Sequence, residues 1–171
     1  MNNLEQYIRD INDFPKEGIL FKDIAPLLQN PKAVQECLDA LLNAIGGQKI
    51  DKVVGIESRG FFFGTLLAQQ LNAGFIPVRK PGKLPYKTIS ETYSLEYGTD
   101  TLEMHEDAII KGERVLIHDD VLATGGTAKA VCKLVEQLGG NIIQCNFIMQ
   151  LNFLNGIDKL EGYEVKSILE Y

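Results

Sequence analysis

The stretch VLIHDDVLATGGTAKAVCKLVEQL, residues 115–138, decides the fold. VLIH reads as a strand, and from Thr127 the apolar positions recur at helical spacing until Gly139-Gly140 stops them. Between the two lies the loop DDVLATGGT. Backbone N–H groups at a helix N-terminus lack intrahelical partners and carry partial positive charge, which suits phosphate. Gly125 and Gly126 let the main chain approach an anion closely, while Thr124 and Thr127 add hydroxyl donors. Asp119 and Asp120 repel phosphate, so they look misplaced beside such a cradle. They make sense if one ligand carries a phosphate at one end and ribose hydroxyls a few ångströms away. A surface turn whose acids merely cap the helix would carry the same letters.

Working outward, strand and helix signals alternate. KVVGIE (52–57) reads as a buried strand, GFFFGTLLAQQL (60–71) as a helix and FIPVRK (75–80) as a second strand. NIIQCNFIMQL (141–151) is a fourth strand, and YEVKSILEY (163–171) adds an edge strand. Strands alternating with helices of about a dozen residues imply βαβ units around a parallel sheet. The expected fold is therefore α/β, an open, mostly parallel central sheet flanked by helices. In such sheets ligands bind at the carboxyl ends of the strands. The segment from 81 to 114 breaks the rhythm, because TYSLEY and TLEMHE flank Gly98-Thr99-Asp100 as a two-stranded ribbon would. That ribbon is expected to form a small hood, or flap, over about residues 81–110.

Upstream, Leu4, Tyr7, Ile8 and Ile11 recur at helical spacing and predict a short opening helix. Asn30 and Pro31 read as N-cap and first position of a helix that runs through Val34, Leu38, Leu42 and Ile45 to Gly46-Gly47. At 171 residues the chain is expected to be one domain, 1–171, with no internal repeat or linker.

Composition excludes several classes. The formal charge of −6 argues against nucleic-acid or anionic-membrane binding, which needs a basic face. The local exception is RKPGKLPYK, with Arg79, Lys80, Lys83 and Lys87. No run approaches the roughly 18 apolar residues of a membrane span, and the N-terminus shows no signal peptide. Three widely spaced cysteines (Cys37, Cys132, Cys145) match no metal pattern and suggest buried free thiols in a reducing, cytoplasmic compartment. Neither GxGxxG nor GxxxxGK[ST] occurs, which weakens dinucleotide and NTPase readings.

DDVLATGGT closely resembles the 5-phosphoribosyl-1-pyrophosphate (PRPP) loop of the type I phosphoribosyltransferases. EGILFKDIAPLL (17–28), GIESRGFFFG (55–64), RKPGKLP (79–85) and TYSLEYG (92–98) resemble the adenine phosphoribosyltransferase branch in order and spacing, over roughly residues 12–151. The resemblance implies the type I phosphoribosyltransferase fold. It also implies purine salvage: adenine plus PRPP giving AMP and pyrophosphate, with Mg²⁺ held mainly by PRPP or pyrophosphate and no direct protein ligand assigned. Asp119 and Asp120 would hold the ribose hydroxyls and favour a cationic sugar. Ala123, Thr124, Gly125, Gly126 and Thr127 would wrap the 5′-phosphate. Ser58, Arg59, Arg79, Lys80 and Lys83 would bind pyrophosphate, with Arg59 also in the catalytic set and Arg79 reaching the site of the neighbouring subunit in a homodimer. An N-terminal base-binding segment, about 1–30, would present Leu20, Phe21 and Lys22 to adenine, with Val121 and Leu122 as the other wall. Glu96 on the hood would be the catalytic group that handles protons on the purine.

Two residues depart from the family's habit: His118, where an aliphatic residue is more usual, and Lys22, often an arginine. A histidine beside Asp119 would either tune the site with pH or simply be hydrogen-bonded at the sheet edge. Two rivals stay open at this point. One keeps the PRPP site but uses xanthine, hypoxanthine or guanine; the other is a PRPP-sensing regulator without catalysis.

Overall fold

The computed structural model describes residues 4–94 and 98–171. Backbone contacts separate the chain into two compact units, 1–40 and 41–171.

In the first unit the opening helix is absent. A single 3₁₀ turn, Leu4–Tyr7, gives way to strand β1 (Arg9–Ile11), which pairs antiparallel with β2 (Phe21–Asp23). A helix this short is marginal by itself. Pairing is reinforced by ion pairs between Arg9 and Asp23 at 2.6 Å and between Lys22 and Asp10 at 2.7 Å. Leu4 is fully buried, and its turn packs on α1 (Ala25–Leu28). Helix α2 (Pro31–Ile45) begins as the sequence predicts. Asn30 Oδ1 accepts from the N–H groups of Lys32 at 3.0 Å and Ala33 at 3.1 Å, satisfying two donors that the helix itself leaves unpaired. Ala33, Cys37, Leu38, Leu41 and Ile45 form its buried stripe.

The second unit is built on a five-stranded parallel sheet, ordered β4-β3-β7-β8-β9. These strands are β3 (Lys52–Ile56), β4 (Gly74–Val78), β7 (Arg114–Leu122), β8 (Asn141–Gln150) and β9 (Val165–Glu170). Successive residues of a strand point to opposite faces, and Val53 and Val54 are both fully buried, so both faces of β3 are covered. Helix α3 (Gly60–Gln70) links β3 to β4 and packs on β3, β4 and β7; α4 (Gly126–Gln137) links β7 to β8 and packs on both. The apolar core runs from Val54, Ile56 and Ile117 to Val131, Leu134 and Phe147. It also takes in Cys132 and Cys145, whose sulfurs lie 3.7 Å apart as free thiols; Cys37 is likewise buried and free.

The expected ribbon forms as β5 (Thr88–Ser94) and β6 (Thr99–His105), paired antiparallel in register from Thr88↔His105 to Ser94↔Thr99. Thr99 and Asp100 belong to β6, not to the turn. Among the described residues no helix is long and apolar enough to cross a membrane.

Candidate active site

Strand β7 sets the site. It runs on through Leu122, so Asp119 and Asp120 sit within the strand, and the connecting loop is only Ala123–Gly125. Neighbouring β3 stays paired to β7 only as far as Gly55↔His118. The two acids therefore stand just past the point where β3 turns away, in the notch at the carboxyl ends of the strands. Into that notch comes Ser58-Arg59, following a cis peptide between Glu57 and Ser58. Gly60 makes the approach possible, since a Cβ there would lie 2.8 Å from the His118 carbonyl oxygen and 3.2 Å from Asp119 Cα. Arg59 Nε is 2.5 Å from Asp120 Oδ2.

The loop after the acids is braced from outside. Gly125 adopts φ +76°, which favours glycine, and a Cβ on it would meet the Gly156 carbonyl oxygen at 2.2 Å. A Cβ on Gly156 would in turn meet the Ala123 carbonyl oxygen at 2.1 Å. The backbone of Ala123–Gly125 is thus held against Gly156, and α4 starts at Gly126 with no side-chain cap from Gly125, its first N–H groups having no partner within the helix.

These pieces enclose a cavity of about 430 Å³. Its wall includes Ser58, Arg59, Lys80, Asp119, Asp120, Val121, Leu122, Ala123, Thr124, Gly125 and Thr127, eleven residues singled out in the sequence. Gly126 lies just outside, against Tyr93. Arg79 and Lys83 do not line the cavity. Both turn to Glu57, with Arg79 Nε at 3.3 Å from Oε2 and Lys83 Nζ in an ion pair with Oε1. Leu20, Phe21 and Lys22 belong to the first unit. There Phe21 packs edge-on against Phe14 at 5.1 Å, Lys22 is paired with Asp10, and Leu20 is exposed. Glu96 lies outside the described residues.

Sequence reasoning passed over Glu57, Tyr93 and Asp100, all of which face the cavity. Glu57 is nearly buried, and burial alone would raise its pKa. Lys83, the Lys80 N–H at 2.8 Å and Arg79 outweigh that and hold it down at about 2. It is the anion that holds the side chains of Arg79 and Lys83, while the Lys80 ammonium pairs with Asp100 and that of Lys87 with Glu106. Tyr93 and Asp100 come from the hairpin, where nothing in their local sequence marks them.

Asp119 and its neighbour His118 are shifted in opposite directions. Burial and the Asp120 charge push the Asp119 carboxyl well above the usual carboxylate range. Asp119 Oδ1 also accepts from the Asp120 N–H at 2.9 Å. His118, by contrast, is fully buried in a central strand, with Nδ1 at 2.7 Å from Asn146 Oδ1. Burial lowers its pKa to about 4 despite the Asn146 bonds, so at neutral pH it is an uncharged core residue and not a pH tuner of the site. Among the described residues no three His, Cys, Asp or Glu side chains gather as a metal cage.

Comparison with known proteins bears on this geometry. A family model described as the phosphoribosyl transferase domain matches residues 23–171. An adenine phosphoribosyltransferase of Flavobacterium johnsoniae is 72% identical, over 98% of this chain and 99% of its own. The crystal structure of adenine phosphoribosyltransferase from Thermoanaerobacter pseudethanolicus superposes with a TM-score of 0.97 at 51% identity, covering 99% of this chain and 98% of that one. The Saccharomyces cerevisiae enzyme, complexed with adenine and an imino-altritol bisphosphate, gives a TM-score of 0.92 at 46% identity, with 98% and 97% covered. The chain belongs to the phosphoribosyl transferase family, in its adenine phosphoribosyltransferase branch.

Proposed function

We propose that this chain transfers the 5-phosphoribosyl group of PRPP to adenine, giving AMP and pyrophosphate. The observation that carries this is one cavity whose lining joins the adjacent β7 carboxylates Asp119 and Asp120 to a glycine-bearing loop at a helix N-terminus and to Arg59 and Lys80. Adenine as acceptor is supported by the names of the relatives and by the adenine bound to the yeast enzyme.

In the reaction a bond forms between adenine N9 and ribose C1, the C1–O bond to pyrophosphate breaks, and the N9 proton is lost. Negative charge grows on the leaving group and positive charge on the sugar, so catalysis is positioning and electrostatics. Asp119 and Asp120 hold the ribose hydroxyls and face the developing cation. The N–H groups of Ala123–Gly126 and the hydroxyls of Thr124 and Thr127 hold the 5′-phosphate. Ser58, Arg59 and Lys80 take the pyrophosphate. Leu20, Phe21 and Lys22 present main chain and ring to the base, Val121 and Leu122 offer it apolar contacts, and Glu96 handles the purine proton. Hypoxanthine presents the opposite hydrogen-bonding pattern to adenine at its six-position, so a site built for adenine leaves it with unpaired buried groups.

Mg²⁺ takes one or two carboxylates together with substrate phosphates; the adjacent acids on the cavity wall fit an ion held chiefly by PRPP, which when bound would neutralise charge on the leaving pyrophosphate. The working form in this reading is a cytoplasmic homodimer with Arg79 serving the neighbouring site. Three buried free thiols suit that compartment. The test is to mix purified protein with magnesium-PRPP and each of adenine, hypoxanthine, guanine and xanthine. AMP from adenine alone is expected; a nucleotide from another base overturns the assigned specificity, and no nucleotide from any base overturns the reaction.

A further inference from the structure

The hairpin carries an anion into the phosphate cavity, and none of the roles assigned above accounts for it. Asp100, on β6, lines the same wall as Asp119, Asp120 and Arg59 and forms an ion pair with Lys80 Nζ. Its place is fixed from three sides. Oδ1 accepts from the Thr101 N–H at 2.8 Å, Oδ2 accepts from the Tyr93 hydroxyl at 3.2 Å, and that hydroxyl lies 3.1 Å from Thr127 Oγ1 on the phosphate loop. Burial raises its pKa, but Lys80 and the Thr101 N–H reverse the balance, so Asp100 is lowered overall and carries its charge at neutral pH. A carboxylate held in this way works against any ligand rich in phosphate.

We propose that Asp100 is a positioning residue that occupies Lys80 until pyrophosphate oxygens displace it, and so sets how tightly PRPP and pyrophosphate are held. This rests on the reading of the cavity as the PRPP site. Lys80 and Asp100 are both partly exposed, at 41% and 26% of their side chains, so their pair is weak enough for a multiply charged ligand to break. Tyr93 keeps Asp100 in place while Lys80 is away, and the carboxylate is then ready to recapture the ammonium when product leaves. Without Asp100, Lys80 stays available, and product pyrophosphate binds tighter and departs more slowly.

The experiment is titration calorimetry of the full chain with pyrophosphate in excess Mg²⁺, on wild type, Asp100→Asn, Asp100→Ser, Lys80→Met and the Lys80→Met/Asp100→Asn double variant. In the Lys80 background both Asp100 variants are expected to bind about three- to tenfold tighter, the gain from removing a partly exposed ion pair and one repulsive charge. In the Lys80→Met background the Asp100→Asn gain should fall to less than half of that. A gain of equal size in both backgrounds, or none with Lys80 present, overturns the proposal and leaves the reading of the cavity standing. A wild type that binds no pyrophosphate overturns both.

Discussion

His118 and Asp119 are neighbours on β7 with opposite surroundings, the one sealed in the core beside Asn146, the other on the cavity wall. The histidine makes a prediction about stability rather than catalysis. Its pKa is about 4 in the fold against 6.5 ordinarily. Below pH 6.5 the unfolded chain binds a proton that the native imidazole refuses, so stability falls with pH until about 4; above pH 6.5 both states are neutral and the residue contributes nothing. Denaturant melts should show wild type losing about 2 kcal/mol more than His118→Gln between pH 7.5 and pH 5. Equal losses would mean that His118 is not held neutral. The pair also marks what a residue's own sequence context discloses. Asp119, Asp120 and the glycines after them were legible because their chemistry is contiguous. Asp100 and Tyr93 were not, since their partners Lys80 and Thr127 lie 20 and 34 positions away.

At the scale of elements, the alternation of strand and helix placed every strand of the sheet to within a residue or two at most ends, because each is an apolar run closed by a turn signal. The exception was β7, which continues through both acids to Leu122 because β8 pairs with it that far. The opening segment was misread for the converse reason. Leu4, Tyr7, Ile8 and Ile11 have helical spacing, but the backbone of Phe21–Asp23 offers strand pairing that no local pattern reveals. The phosphate loop has a similar hidden partner in Gly156. Substituting Gly156→Ala should push the new methyl into the Ala123 carbonyl and shift the loop. A displacement on the ångström scale in a positioning element can cost up to about 100-fold, so kcat/KM for PRPP should fall at least tenfold while the cooperative melt persists. Unchanged kinetics would show that Gly156 does not brace the loop.

At the scale of the whole molecule, the proposed dimer assigns Arg79 to a neighbour's site, while within this chain its guanidinium is paired with Glu57. Co-expressing Arg59→Ala with Arg79→Ala discriminates the two arrangements. If Arg79 acts across the interface, each mixed dimer keeps one site with both arginines and regains activity over either parent. If it acts within its own chain, every site lacks one arginine and no activity returns.

Labour is divided along one strand and its loop, acids for the sugar and amides for the phosphate. The most direct measurement is the Asp119→Asn/Asp120→Asn double variant, assayed for kcat with adenine and for the affinity of ribose 5-phosphate. The account predicts a fall in kcat of about 100-fold or more, since the lost charge acts where the cation develops, with ribose 5-phosphate affinity changed only a few-fold. Undiminished turnover, or loss of phosphate affinity in step with kcat, would contradict it.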